Sequence, residues 1–348
     1  MVKALVWVLM GLLVGNAELA AQRTITVCPS GCDFTSIQEA VNAAIPWETI
    51  SIGVGEYKES VLIFNKSLKL IGADQAHVKI IGGITVAGAG NEVTLENFTV
   101  TGGTGILALG APLLSLRRMA VIAHLGDGIS LFDAARAAIV NTTVANNGMS
   151  GIVAKGVAHA QLFDTTLSEN KLDGLAAYDQ TTIRISFVKA VGNGANGLLI
   201  AGQAKAKLDL VHSSANGVRR PALFPAGFRR FCGIHIADNA EAEITVAKLD
   251  KNKEAGLCIG GHSSINIDPK IFTKATLANS EIVTENEEHG IIVGDPIKTQ
   301  DETWALIVNN RIINNKRCGI FKDFEKVELI LEGNSISGNP EGEVCEAK

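Results

Sequence analysis

From Gly105 onward the chain repeats one order of apolar and polar positions. A glycine followed by an aliphatic residue occurs at Gly105, Gly128, Gly151, Gly174 and Gly197, each 23 residues after the last. The series resumes at Gly233, Gly256, Gly290 and Gly319 after steps of 36, 23, 34 and 29, and Gly342 follows by another 23. The irregular steps are one repeat plus 13, 11 and 6 extra residues, near 217–231, 261–274 and 294–304. Repetition at a fixed period of this size marks a stacked architecture. Positions one and three after the glycine are apolar, as in Ile129 and Leu131, Ile152 and Ala154, or Ile234 and Ile236. That alternation is a strand with one face inward. Two further apolar columns follow, one through Ala160 and Leu162, Ile183 and Ile185, Ala242 and Ile244, the other through Val144, Leu167 and Leu249. No repeat carries a 3.6-residue period. The pattern predicts an all-β coil with three short strands per turn, each strand pairing with its equivalent about 4.8 Å away.

Identical positions then stack. Asparagine lies four places before the glycine at Asn147, Asn170, Asn193, Asn252, Asn286 and Asn315, and Asn216 joins the column if the first extra segment follows it. Stacked turn asparagines bond to each other and to turn backbone, so this column reads as a structural ladder. Five places after the glycine, Asp133, Asp179, Asp238 and Asp295 alternate with glycine. Both residue types accept a left-handed backbone, so a turn is expected there. The position two after the glycine should face outward, yet it reads Leu107, Ser130, Val153, Ala176, Leu199, His235, Cys258, Ile292 and Phe321. So apolar a column implies a covered or binding surface.

A raw end of stacked strands needs a cover. In "FTSIQEAVNAA", Ser36 and Glu39 form a capping-box pattern, and Phe34, Ile37, Ala40, Val41 and Ala44 form an apolar helical stripe. A short helix over 34–45 is expected to close the first coil. With the alternating stretch after it, this segment resembles secreted right-handed parallel β-helix proteins, the pectin-lyase-like superfamily. The matching elements are Phe34-Thr35, Ile37-Gln38, Ala40-Val41, Thr49-Ile50 and Gly55-x-Tyr57-x-Glu59. The resemblance implies a right-handed parallel β-helix, with a polysaccharide lyase or glycoside hydrolase-like activity if the chain is an enzyme. Complete catalytic sets of that superfamily are missing. "EHGIIVGD" and "GDGISL" only echo the polygalacturonase motifs, and Asp268-Pro269-Lys270 and Asp295-Pro296-Ile297 stand in place of the Asp-Pro-His of alginate epimerases. The catalytic residues therefore stay unassigned.

Composition narrows the reading. Aromatics are 5% of the 348 residues, so core volume comes from Ile, Val, Leu and Ala. Net charge is −5 with both signs scattered, which leaves no basic stripe for nucleic acid. Residues 1–21 have a Lys3 followed by an apolar run and read as a signal peptide, with 22–348 as one exported domain and no transmembrane span in the mature chain. Export permits disulfides, and Cys28 and Cys32 flank a tight turn and are expected to pair. The pairing of Cys232, Cys258, Cys318 and Cys345 stays open.

Long segments inserted in a repeat scaffold are where function usually resides. All three extra segments are expected to rim one face. Arg219, Arg220, Arg229 and Arg230 suit the carboxylates of an acidic sugar polymer. Phe228 and Trp304 suit sugar rings, and His235 and Asp238 complete the candidate set. Phe132, Lys155 and Tyr178 form a second candidate. His235, Cys258 and His262 are weak metal candidates, and no cofactor is required by the sequence. The expected function is recognition, and processing if catalytic, of an acidic extracellular or cell-envelope polysaccharide, by a secreted, periplasmic or envelope-associated protein. A non-catalytic scaffold for a cell-envelope protein is the alternative, and a periplasmic metal-handling accessory role the third.

Overall fold

The computed structural model describes residues 23–218, 231–260, 272–280, 282–294, 302–323 and 326–347. Residues 1–21, which the sequence reads as a signal peptide, lie outside them. The described chain is a parallel β-solenoid of about twelve turns with one short helix. Three parallel sheets run its length. Sheet A includes Arg136–Val140, sheet B Thr143–Ala145 and sheet C Ile152–Ala154. Each strand pairs in parallel with its equivalents, so Arg136 lies between Leu113 and His159, and Ile152 between Ile129 and Leu175. Alternation then decides what is inside. Ala137, Ile139, Ala160, Leu162, Ile183 and Ile185 are buried and stack along the axis, while Arg136, His159, Gln161 and Arg184 between them are exposed.

Two early turns depart from three short strands. Val78–Glu96 and Thr99–Arg117 each run 19 residues through the corners. Their register shifts between Gly82 and Gly83 and between Ala89 and Glu92, so glycine-assisted bulges bend the backbone without breaking the ladder.

The asparagine column stands at the corner between sheets B and C. Asn193 Nδ2 donates to Asn216 Oδ1 at 3.0 Å and to Leu167 O at 3.0 Å, and Asn193 Oδ1 accepts from Asn170 N at 3.2 Å. The same bonds run through Asn147, Asn170, Asn216, Asn252, Asn286 and Asn315, and the run ends on Asn339 as acceptor. His124 occupies the first rung. Its Nδ1 accepts from Gly103 N at 3.2 Å and its Nε2 faces Val100 O at 3.1 Å, which copies the amide and fixes the proton on Nε2. A shorter ladder, Ser280, Asn310 and Asn334, occupies the corner between A and B. The glycine column follows from the ladder. A Cβ on Gly174 would lie 2.5 Å from Gly197 O and 2.9 Å from Asn193 Nδ2, so no side chain fits.

The ends correct two expectations. Asn315 bonds Asn339 and Cys318 pairs with Gly342, so the last turn is 24 residues long and Glu343, not Gly342, lies opposite Gly319. Helix α1 spans Ile37–Ala43, shorter than 34–45, because extended Ser36 caps it and Ala44 is extended again. It is held from the next coil at both ends. The Glu59 carboxylate accepts from Ser36 Oγ (2.8 Å), Ile37 N (2.8 Å) and Gln38 N (2.9 Å). Lys66 Nζ donates to Val41 O and Ala44 O, each at 2.7 Å. Charge thus meets each end of the helix with the favoured sign. Tyr57 donates to Gly53 O at 2.7 Å. All six cysteines pair, Cys28 with Cys32, Cys232 with Cys258, and Cys318 with Cys345.

Candidate glycan-binding face

The structure separates the residues that the sequence grouped together. Arg219, Arg220, Phe228, Arg229, Arg230 and His262 lie outside the described residues. His235 and Asp238 belong to sheet C and the turn after it, whereas Trp304 lies on sheet A. His235 is fully buried, with Nε2 3.1 Å from Gly260 O. Asp238 Oδ2 accepts from Gly202 N at 3.2 Å, as Asp133 accepts from Gly110 N and Asp179 from Gly156 N. These carboxylates brace left-handed turns, at φ of 56–59°. Cys258 is oxidised with Cys232, so it offers no thiolate to a metal.

The apolar outward column of sheet C is covered. Val153, Ala176 and Leu199 are buried with Phe132 and Tyr178 packed against them, and Cys232, Ala255, Cys258 and Ile292 form a second cluster beside Phe321. Lys155 Nζ lies 5.3 Å from the Tyr178 ring centre. Connections rather than sheets set the rim. The segment after Val218 leads into Cys232–Ile236 of sheet C, while those after Gly260 and Gly294 lead from sheet C into Phe272–Ala278 and Glu302–Val308 of sheet A. All three extra segments are thus continuous with sheet C, and two of them also lead to sheet A, while most of their residues lie outside the described ones.

The outer face of sheet A is the open one. Two contiguous depressions run along the outside of sheet A, about 410 and 350 Å³ in volume. The first is lined by Glu92, Leu113, Arg136, His159 and Gln161, the second by Arg184, Lys205, Lys207, Glu241, Glu243 and Lys274. They meet where His159 pairs with Thr182 and Gln161 with Arg184. From Arg136 to Lys274 the face covers six coils, five spacings or about 24 Å at the strand spacing. Trp304 continues it, with Lys274 Nζ 4.8 Å from its ring centre.

Its charge is weakly committed. Lys205 pairs with Glu241 at 3.6 Å and Lys207 with Glu243 at 2.9 Å, all four side chains being more than half exposed. Such pairs contribute about 0–1 kcal/mol each, so a ligand carboxylate can replace the glutamate. Among the described residues, Arg136 and Arg184 have no ion-pair partner. Nothing in the glycine register pointed to this face, because its outward residues vary from coil to coil. The signal was the alternation itself: wherever Ala160 and Leu162 point inward, His159 and Gln161 must point outward.

A family model described as a right-handed β-helix region matches residues 82–224. No curated protein sequence matches the chain. Among solved structures, it is similar to the catalytic unit of a GH87 alpha-1,3-glucanase from Streptomyces thermodiastaticus strain HF3-3, at 14% identity and a TM-score of 0.62. That match covers 88% of this chain and 66% of the glucanase unit, so the chain spans just under two thirds of that relative. It is also similar to the A-module of a mannuronan C-5 epimerase from Azotobacter vinelandii, at 14% identity and a TM-score of 0.54, over 88% of this chain and 92% of the module. A double mutant of the periplasmic alginate epimerase AlgG matches at 11% identity and a TM-score of 0.54, over 94% and 84%.

Proposed function

We propose that sheet A of this parallel β-helix binds an acidic polysaccharide lying along the helix axis. The observation that carries this reading is the row of cations on an open, regularly spaced face: Arg136, Arg184, Lys205, Lys207 and Lys274. Guanidinium groups suit carboxylates in two-point contact, and successive coils present a new set of side chains at each step. The similar structures are named as a glucanase and as epimerases of mannuronan and alginate, which supports a glycan as the ligand. Recognition is preferred to cleavage because Glu241 and Glu243, the carboxylates of the second depression, face lysines. Three disulfides agree with an exported, periplasmic or secreted protein, and no helix among the described residues is long and apolar enough to cross a membrane.

The test is calorimetric titration with polygalacturonate, alginate and a neutral glucan at low and high salt. The parent is expected to bind the uronates and lose affinity with salt. An Arg136→Ala, Arg184→Ala variant is expected to bind at least tenfold more weakly, since each lost charge-assisted contact is worth about 1.5–3 kcal/mol in a desolvated setting and less on a surface. A variant with alanine at Arg219, Arg220, Arg229 and Arg230 supplies the competing test. Loss of uronate binding in that variant alone would move the site off sheet A.

A further inference from the structure

Phe163 and Phe187 are large apolar side chains left open beside the face just described. Phe163 is 48% exposed and Phe187 52% exposed. Their ring centres are 5.4 Å apart with planes at 69°. Phe163 is two residues from Gln161 on the outward side of its strand, and Phe187 follows Ser186, which pairs with Phe163. The two rings thus lie on the two neighbouring coils where the depressions adjoin, at the corner between sheets A and B.

The backbone gives a second, independent observation. Phe187 has φ 56°, in the left-handed region. Equivalent corner positions are filled by Asn141, Asp164, Asn279, Asn309 and Gly333, which suit that conformation, and by Arg118, exposed at φ 50°. Leu210 and Val246 share it but are half-buried, so packing holds them. Phe187 combines the unfavourable backbone with an unburied ring, and such strain collects at functional sites. The patch is two rings bounded by Gln161, Asp164, Arg184 and Asp209, far short of the roughly 800 Å² per partner of a stable protein interface. It matches one sugar ring, which offers an apolar C–H face and a rim of hydroxyls to the polar groups around it.

We propose that Phe163 and Phe187 form a stacking platform for one pyranose ring of the glycan on sheet A, a subsite that rests on the reading of that face and adds a charge-independent contact to it. The experiment compares the parent with Phe163→Thr and Phe187→Asn, singly and together, against an oligogalacturonate and a neutral gluco-oligosaccharide, by calorimetry and saturation-transfer NMR. The double variant is expected to lose about tenfold in affinity for the uronate at any salt concentration. Phe187→Asn is expected to raise Tm while lowering affinity, which a merely structural phenylalanine would not do. Uronate affinity unchanged in the double variant but reduced in the Arg136→Ala, Arg184→Ala variant overturns the platform and leaves the charged face standing. Binding of either sugar that needs the phenylalanines but not the arginines keeps the platform and removes the charge-based reading. Absence of phenylalanine-dependent binding for both sugars, or a lower Tm in Phe187→Asn, overturns the proposal.

Discussion

Asn193 is the sharpest place to test the ladder. Replacing it with alanine deletes four hydrogen bonds, but their loss is uneven. Asn216 Oδ1 still accepts from Asn193 N at 3.0 Å, and Asn170 Nδ2 still donates to Val144 O at 3.2 Å. Leu167 O and Asn170 N are left without their side-chain partner in a buried corner. Each orphaned buried group costs about 1–3 kcal/mol, so Asn193→Ala should destabilise by about 2–6 kcal/mol. Asn339, the last rung, accepts from Asn315 and donates to Ile312 O but has no onward asparagine and is half-buried, so water can replace it and Asn339→Ala should cost about 1 kcal/mol or less. Urea unfolding measures both, and hydrogen exchange at the Asn170 amide reports the orphaned donor. An Asn193→Ala cost no greater than that of Asn339→Ala would refute the reasoning, because the buried rungs would then contribute nothing beyond their backbone.

Further outcomes follow from the same geometry. Burial holds the His124 imidazole below its ordinary value of 6.5 despite hydrogen bonds that raise it. The unfolded chain therefore takes up that proton first, so the neutral rung's contribution is full above about pH 6.5 and declines as pH falls below it. His124→Asn keeps both bonds and should remove this part of the acid sensitivity, read as the parent–variant difference in urea midpoint between pH 7 and 5. Gly174→Ala forces a methyl against Gly197 O and should cost about 1–3 kcal/mol, while Gly126→Ala, which meets nothing within 4 Å, should stay within about 0.5 kcal/mol in thermal melts. Glu59→Ala removes the anion over helix α1 and should cost about 1–2 kcal/mol, with faster exchange of the Ile37 and Gln38 amides.

The fold was legible because stacking makes the sequence state the same requirement many times. Asn147 alone would be an ordinary turn residue; seven of its equivalents in phase are a ladder. Where the number of repeats was small, the signal was lost. Asn310 and Asn334 form the second ladder over only two asparagine rungs, with Ser280 above, and the 24-residue last turn hid behind Gly342. The candidate face was harder for the opposite reason. Its outward positions carry no core constraint, so Arg136, His159, Thr182, Lys205, Glu241, Lys274 and Trp304 form no recognisable column by residue type. Apolarity drew attention instead to His235 and Cys258, whose neighbours on sheet C are covered.

Each inner ladder amide donates to the asparagine of the next coil and to a carbonyl of the preceding one, and the strands pair with their equivalents in the adjoining coils. Such a scaffold works as a ruler. Deleting or duplicating one 23-residue unit, cut in phase at Asn170 and Asn193, would shorten or lengthen the outer face by a single graduation of about 4.8 Å and leave both extremities as they were. The length of that face is therefore quantised, and it can be retuned by whole counts of the repeat.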